Sequence, residues 1–411
     1  MSLARVVEAA VPARLGTDFR KLLAAAIVNN AGDGIVLAAG PLLVASLTRD
    51  PFLVSLAVMF DYLPFLVFGI IGGGAADRFD RRRIVIFANV VRALVLALLV
   101  VTIVSGTASI PLVLGAIFLL GTAEAFADSA SSTLLPSIVA REDLGIGNAR
   151  MQSAFILVNQ LVAPPIGAFL FAVGMALPFA TNAAAFVLGA VLIWRMSSSI
   201  GTVKREMSAA PRSFRGELVD GVRWLAGHAP MRTLAVTIFT FNVTYGAAWG
   251  VLVLWAGERL QMDAVGFGLL TSAAALGGIV GTLSYGALER RFSLGYIMRV
   301  GLLSETLTHL VFALITSPAI ALAVMFVSGA HGFVWNTTST VIRQRAVPNE
   351  LMGRVGGVYR TASLGGLVIG TPIGGLLAGQ FGITAPFWFG FVGSAVLVTL
   401  LWRQFPLIAA D

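Results

Sequence analysis

The sequence predicts an all-α membrane protein whose twelve transmembrane helices form two pseudo-symmetric six-helix bundles. Composition is the first reason: 57% of the 411 residues are hydrophobic and only 12% are charged, whereas soluble proteins carry about 25% charged residues. A soluble chain of this composition would expose much apolar surface to water, but the core of a bilayer is itself apolar. The lengths of the apolar stretches and an internal repeat are the other two reasons.

Twelve apolar stretches of roughly 20 residues are long enough to cross a hydrocarbon core about 30 Å thick. They fall at 22–47, 52–76, 84–105, 109–134, 149–173, 177–196, 232–256, 264–288, 294–316, 318–342, 356–380 and 384–402. The longest polar connection, 197–231, separates six spans from six. We therefore expect an N-terminal bundle at 1–196, a cytoplasmic linker at 197–231 and a C-terminal bundle at 232–411.

The basic residues predict the orientation of the spans. When the N-terminus is placed in the cytoplasm, 25 of the 28 Lys and Arg residues lie on that side or next to it. This predicts a multi-pass protein of the cytoplasmic (inner) membrane with both termini in the cytoplasm. It also explains the net charge of +8 without nucleic acid, because no compact basic module is present. The first 21 residues contain Glu8 and Asp18 and lack a continuous apolar core, so no cleaved signal peptide is expected.

The two halves of the chain resemble one another at a nearly constant spacing. Matches at an offset of 207 are Phe126 with Phe333, Ser132–Thr133 with Ser339–Thr340, and Pro165–Gly167 with Pro372–Gly374. The pair Asp77–Arg78 recurs as Glu289–Arg290 at an offset of 212, after the second span of each half. Chance matches are common in a chain rich in Ala, Gly and Leu, but these are collinear and indicate a repeat.

The loop after the second span carries a family motif. Gly73, Asp77 and Arg78 fit the pattern Gly-x-x-x-Asp-Arg/Lys-x-Gly-x-Arg-Lys/Arg, Arg81–Arg83 form its basic end, and Asp80 replaces its second glycine. The loop resembles that of the major facilitator superfamily. Its form Asp-Arg-Phe-Asp-Arg-Arg is similar to the branch of macrolide efflux proteins and enterobactin-type siderophore exporters.

This resemblance implies the major facilitator fold and a secondary active transporter. The function it implies is proton-coupled export of a lipophilic or amphipathic small molecule by alternating access, as in an antiporter of the multidrug-resistance type. A siderophore or metabolite exporter is the alternative, followed by an importer. An enzyme is not expected, because the three histidines form no catalytic motif. An ATP-driven pump is not expected either, because no phosphate-binding Gly-x-x-x-x-Gly-Lys-Ser/Thr is present. The expected partners are the substrate, protons and the lipid bilayer, without cofactor, metal or nucleic acid, and we expect a monomer.

The loop motif predicts a cytoplasmic gate. Its charged residues can hold the two bundles closed on that side, and its glycines permit close helix crossing. The residues assigned to the gate are Gly73, Asp77, Arg78, Arg81 and Arg82. The alternative is a basic loop that serves only to orient the chain.

Proline and glycine recur in spans 5 and 11. Ala163-Pro164-Pro165-Ile166-Gly167-Ala168 resembles the exporter motif Gly-Pro-x-x-Gly-Gly, with alanine at two of its glycine positions. Span 11 carries Pro372 and Gly374 in a matching stretch. Because proline frees a backbone carbonyl and bends a helix, these residues predict helix bending that suits a rocking transporter. An ordinary kinked membrane helix is the alternative.

Ionisable residues inside predicted spans are costly and usually functional. Asp33, Asp61, Glu124 and Glu305 are candidates for proton coupling or substrate binding. Asp33 and Glu124 are the leading candidates, since the family resemblance implies that spans 1 and 4 line a central cavity. Burial there favours the protonated form of a carboxylic acid. For Glu305, a hydrogen-bonded pair with His309 one turn later is the alternative.

Depth in the membrane also predicts an ion pair. Arg92 lies nine residues beyond Arg83, about 13 Å along the helix, and Asp128 lies eight residues before Pro136 at a similar depth. We expect Arg92 and Asp128 to pair.

Polar and aromatic side chains at helical spacing are candidates for lining a cavity, although packing and lipid contact are the alternatives. They are Asn29, Asn30, Gln152, Asn159, Asn242, Tyr245, Trp249, His331 and Trp335.

Overall fold

The structure is a computed structural model that describes residues 13–197 and 214–408, and the regular elements in these ranges are all helical. Twelve of the helices follow the predicted spans. They are α1 (Gly16–Leu47), α2 (Pro51–Arg78), α3 (Arg81–Val104), α4 (Ile110–Ile138), α5 (Arg141–Val173), α6 (Leu177–Trp194), α7 (Ala229–Trp249), α8 (Ala264–Arg291), α9 (Leu294–Leu314), α10 (Pro318–Ala346), α11 (Met352–Phe381) and α12 (Ala385–Leu401).

Length and hydropathy assign membrane crossing to most of these helices. Ten described helices are long and apolar enough to cross a bilayer, and an eleventh span is the bent pair of α7 and the short helix Leu252–Leu260. The twelfth, α12, is apolar and one residue short of 18. The predicted all-α membrane fold is confirmed.

Span 7 differs from the expectation of one helix over 232–256. It is bent by 47° between α7 and Leu252–Leu260. Gly250 ends α7 against Thr371, where an added Cβ would lie 3.1 Å from the Thr371 carbonyl oxygen. Beyond the bend, the buried Trp255 ring packs 5.0 Å from Phe312 and 5.1 Å from Phe387. The short helix is therefore held by aromatic packing that hydropathy alone does not show.

Span 5 is interrupted at its centre. Phe155–Val162 is π-helical and lies between the α-helical segments Leu144–Ala154 and Ala163–Val173. Pro164 and Pro165 follow directly and cannot donate hydrogen bonds to carbonyl groups one turn earlier, so the wider turn begins before them. By contrast, Pro372 lies inside the continuous helix α11.

Two compact units divide the chain. The first contains Met1–Leu47 and Leu63–Arg205, and the second contains Thr48–Tyr62 and Glu206–Asp411. The first part of α2 therefore groups with the second unit. The predicted boundaries at 196 and 232 stay a prediction; the linker contains a helix at Phe214–Gly227, and residues 198–213 lie outside the described part.

The first unit packs its helices through small residues. In it α1 contacts α5 and α6, and α3 contacts α4 and α6. A Cβ at Gly34 would collide with the carbonyl of Asn159, and one at Gly167 with the carbonyl of Ile35. Glycine at these positions lets the backbones of α1 and α5 touch.

The second unit repeats this order. There α7 contacts α11 and α12, and α9 contacts α10 and α12. Three glycines of α11, one turn apart, meet carbonyl groups of α7: Gly366 with Phe239, Gly370 with Val243, and Gly374 with Ala247. The contact of Gly374 with Ala247 reproduces that of Gly167 with Ile35.

We predict that Gly374→Ala lowers the stability of the detergent-solubilised protein by about 1–3 kcal/mol, because the new methyl group meets backbone that cannot move aside. Thermal unfolding measures the change. Gly379→Ala in the same helix is the matched control, since its Cβ meets no atom within 4 Å. Equal unfolding temperatures for the two variants would contradict the close approach of α7 and α11.

Candidate functional site

A buried arginine joins three helices of the first unit. Arg92 of α3 places Nη2 3.0 Å from Oδ1 of Asp33 on α1 and 3.2 Å from Oε2 of Glu124 on α4. The Arg92 side chain is 5% exposed, against 24% for Asp33 and 34% for Glu124. The cation is therefore enclosed, while both carboxylates stay accessible.

Helix α6 completes the surroundings of this arginine. The guanidinium carbon lies 3.9 Å from the centre of the Phe186 ring, in the geometry of a cation–π interaction. Asn182, one turn earlier on α6 and buried, hydrogen-bonds the Asp33 side chain. Four helices thus contribute to one polar centre in an apolar unit.

The ion pairs recorded for Arg92 are with Asp33 and Glu124 instead of the partner that depth predicted. Asp128, one turn after Glu124, adds its negative charge to the same guanidinium, and the Arg92–Asp128 pair itself stays a prediction. Counting residues along the helices placed Asp128 at a depth similar to that of Arg92. A long arginine side chain reaches along the helix axis, so the depths of Cα atoms do not fix its partner.

Amide side chains extend the polar centre along α1. Asn29 donates from Nδ2 to Oδ1 of Asn89 at 3.4 Å. Asn159, in the π-helical segment of α5, donates to the carbonyl oxygen of Asn30 at 3.4 Å. Of the cavity residues predicted in this unit, only Gln152 has an exposed side chain.

Three members of the centre were not singled out from sequence: Asn89, Asn182 and Phe186. The two asparagines could have been found from sequence, because they are polar residues in largely apolar helices and Asn89 lies three residues before Arg92. Nothing distinguishes Phe186 from the other aromatic residues of the spans until its ring is seen against the guanidinium.

The second unit contains a different polar cluster. Nε2 of His331 on α10 lies 3.0 Å from Oε2 of Glu305 on α9, and Nε2 of His309 lies 3.7 Å from Oε1. The expected neighbour His309 is present, and His331, predicted only as a cavity residue, is closer.

The other predicted residues of the second unit are dispersed. The Tyr245 and Trp249 rings stack with centroids 4.1 Å apart, and Asn242 donates to the carbonyl of Ile238 in its own helix. Trp335 is half-buried at the edge of an apolar core. Asp61 is exposed beside Tyr62 in the first part of α2.

The predicted gate is described only in part. The side chains of Gly73 and Asp77 lie outside the described residues, and Arg78 is exposed at the end of α2. Whether these residues close the cytoplasmic side stays a prediction.

The following basic residues anchor helices within the first unit. Arg81 donates to the carbonyl of Thr133 at 3.3 Å. Arg82 donates to the carbonyls of Ile193, at 3.0 Å, and Trp194. Cations at the last carbonyls of a helix are favourable, so Arg82 holds the C-terminus of α6.

Solved structures place this fold among membrane transporters. A variant of the nucleoside transporter NupG aligns with a TM-score of 0.80 at 12% identity, over 95% of this chain and 100% of that chain. A bacterial homologue of the iron transporter ferroportin in an inward-facing state aligns with a TM-score of 0.76 at 16% identity, over 98% and 100%. The described helices have the fold of the major facilitator class of multi-pass membrane proteins, the class to which the family match over residues 9–410 assigns the chain.

Within that class, residues 9–410 match the transmembrane secretion effector family, and the chain belongs to it. The multidrug efflux pump Tap of Mycolicibacterium fortuitum is 26% identical over 89% of this chain and 90% of its own length. Tap of Mycobacterium tuberculosis (strain H37Rv) is 28% identical over 89% and 88%. The enterobactin exporter EntS of Shigella boydii is 24% identical over 94% of each. The predicted branch of efflux proteins and siderophore exporters is confirmed.

We predict that Arg92→Met destabilises the solubilised protein by about 3–5 kcal/mol, because it removes the buried cation that neutralises two carboxylates inside the apolar unit. Combined with Asp33→Asn, the loss should fall short of the sum by about 0.5–3 kcal/mol. Chemical or thermal unfolding of the four proteins in the cycle measures this coupling. The same cycle with Asp128→Asn tests the pair predicted from depth, and additive losses in either cycle would reject the corresponding interaction.

Proposed function

We propose that this protein exports a cationic or neutral, lipophilic or amphipathic small molecule in exchange for protons, and that the cluster of Asp33, Arg92 and Glu124 couples the two movements. The observation that carries the proposal is the sharing of one buried guanidinium by two accessible carboxylates. The names of the efflux relatives support export over import.

The balance of charge in the cluster explains how exchange would work. One arginine neutralises one carboxylate, and a second ionised carboxylate in apolar surroundings is unfavourable. A proton on Asp33 or Glu124 removes that charge, and a bound cation compensates it. Because both relieve the same excess negative charge, proton and cationic substrate compete for the cluster.

Because the two carboxylates stand on different helices, this competition is coupled to the packing of those helices around Arg92. Asp33 and Glu124 stand on α1 and α4, so protonating one of them changes which helix Arg92 holds. In an alternating-access cycle, protons entering from outside would displace substrate bound from the cytoplasm. The protein would act in the inner membrane, with both termini in the cytoplasm as the distribution of basic residues indicates.

Export of a siderophore is the second candidate, supported by the similarity to the enterobactin exporter over 94% of the chain. An anionic substrate would be repelled by the excess negative charge of the cluster until one acid was protonated, and it would be attracted only if both acids were protonated. The charge of the cluster therefore favours a cationic or neutral compound.

We predict that Asp33→Asn still binds substrate but no longer accumulates it against a gradient when a pH gradient is imposed. The amide imitates the protonated acid in shape and leaves Arg92 neutralised by Glu124. Transport is measured in proteoliposomes with a panel of lipophilic cations and neutral compounds. Substrate binding by Asp33→Asn, measured across pH values, should lose most of the pH dependence of the wild-type protein.

Glu124→Gln is the companion variant, and Glu258→Gln, in the exposed part of Leu252–Leu260, is the matched control that removes one carboxylate elsewhere. Full pH-driven accumulation by both Asp33→Asn and Glu124→Gln would place coupling outside the cluster. Loss of binding in Asp33→Asn would instead make this carboxylate a direct contact of a cationic substrate.

We also predict that Asp77→Asn slows transport severalfold while expression and substrate binding stay near normal, since the loop after α2 is proposed to close the cytoplasmic side. Initial rates in the same proteoliposomes test this. Wild-type rates would mean that the loop serves only to orient the chain.

A further inference from the structure

Glu305 occupies in the second unit the place that Arg92 occupies in the first. The helices α3 and α9 begin at Arg81 and Leu294, and the same offset of 213 takes Arg92 to Glu305. The offset of 207 that relates Phe126 to Phe333 takes Glu124 to His331.

The third position follows from the glycine contacts. An offset of 212 relates Ile35 to Ala247, which receive matching contacts from Gly167 and Gly374, and it takes Asp33 to Tyr245. The triad of Asp33, Arg92 and Glu124 thus corresponds to Tyr245, Glu305 and His331. The central group has changed sign, from a cation between acids to an acid beside an imidazole.

Burial and incomplete hydrogen bonding mark the Glu305 cluster as a site. Glu305 is 8% exposed and His309 is fully enclosed. Oε1 of Glu305 and both ring nitrogens of His309 have no hydrogen-bond partner among the described residues, although Oε1 and Nε2 lie 3.7 Å apart. Buried polar atoms without partners are costly. A proton on either Oε1 of Glu305 or Nε2 of His309 would allow a hydrogen bond to form between these two atoms.

The helices packed against α9 are α8, α10, α12 and the short helix Phe405–Ile408, which has no titratable residue. The titratable residues of α8 are Tyr285, Glu289, Arg290 and Arg291. They lie at the end of α8 next to the start of α9 at Leu294, about 16 Å along α9 from Glu305. α12 has no titratable residue, and beyond His331 the titratable residues of α10 are Arg343 and Arg345, at least 12 residues or about 18 Å further along the helix. On α7 the group that faces Glu305 is Tyr245, which in turn faces Tyr62 of α2. The protonation of Glu305, His309 and His331 therefore depends chiefly on the interactions among these three groups.

We propose that Glu305, His309 and His331 form a second proton-binding site, in the second unit and separate from the cluster of Asp33, Arg92 and Glu124. With one imidazole protonated the site is neutral, and with both protonated it carries a positive charge. It takes up and releases protons without substrate, and its use in transport rests on the proposed proton-coupled export.

The experiment uses the fact that the chain contains only three histidines. The full-length protein, labelled with ¹⁵N-histidine and held in detergent micelles without substrate, is followed by NMR from pH 5 to pH 9. His309→Gln and His331→Gln assign the signals, and His228, at the start of α7, serves as an internal reference outside the cluster.

We expect the midpoint of the His331 NMR titration to differ by about 1 pH unit or more between the wild-type protein and Glu305→Gln, because the variant removes the carboxylate that lies 3.0 Å from this imidazole. Glu258→Gln should leave the midpoint unchanged. In case Glu305→Gln does not fold, a second measurement compares wild type with His331→Gln. The protons that each protein takes up between pH 9 and pH 5 are counted in weakly buffered solution, and His331→Gln should take up about one proton fewer.

Two results would overturn the site: an unchanged His331 midpoint in folded Glu305→Gln, or equal proton uptake by wild type and His331→Gln. Both measurements omit substrate and gradient, so they stand apart from the transport test on Asp33→Asn. Titration of the cluster in a protein that shows no pH-driven transport would retain the site and reject the proposed export mechanism.

Discussion

Moving an ionised guanidinium from water into an apolar interior costs several kcal/mol, and the Arg92 side chain is only 5% exposed. The first unit can hold this residue only if opposite charge is brought to it. Asp33 and Glu124 supply that charge from two other helices, and Phe186 covers the guanidinium with an aromatic face. The requirement to neutralise one cation therefore restricts how α1, α3, α4 and α6 can pack.

Glycine makes this arrangement sterically possible. Gly32 and Gly34 stand on either side of Asp33. A Cβ at Gly32 would collide with the Asn182 side chain, and one at Gly34 with the carbonyl of Asn159. The acid thus lies where α1 packs closely against α5 and α6, and its carboxylate is held within reach of α3. The same small residues that allow helices to pack in lipid also determine where the charged centre can be built.

Much of the fold and part of the charged centre could be predicted from sequence. Spans are determined by length and hydropathy, and acidic residues inside spans are conspicuous because burying a charge in the membrane is unfavourable. All twelve helices, and Asp33, Arg92 and Glu124 as special residues, came from such local signals. The partner of Arg92 did not, since it depends on how three helices cross and on the reach of one side chain. The bend after Gly250 and the π-helical segment before Pro164 likewise arise from contacts and missing hydrogen bonds that composition does not record.

The repeat shows which constraints are rigid and which are not. A glycine against a backbone carbonyl admits no larger residue, and that contact is found in both units at Gly167 and Gly374. A polar centre needs only balanced charge, and the balance can be reached with a cation between acids or with an acid beside imidazoles. A duplicated fold can therefore keep its backbone packing while its two centres diverge in chemistry. If both proposals hold, the excess negative charge around Arg92 suits the first unit to attract a cation, and the cluster at Glu305 lets the second unit take up protons.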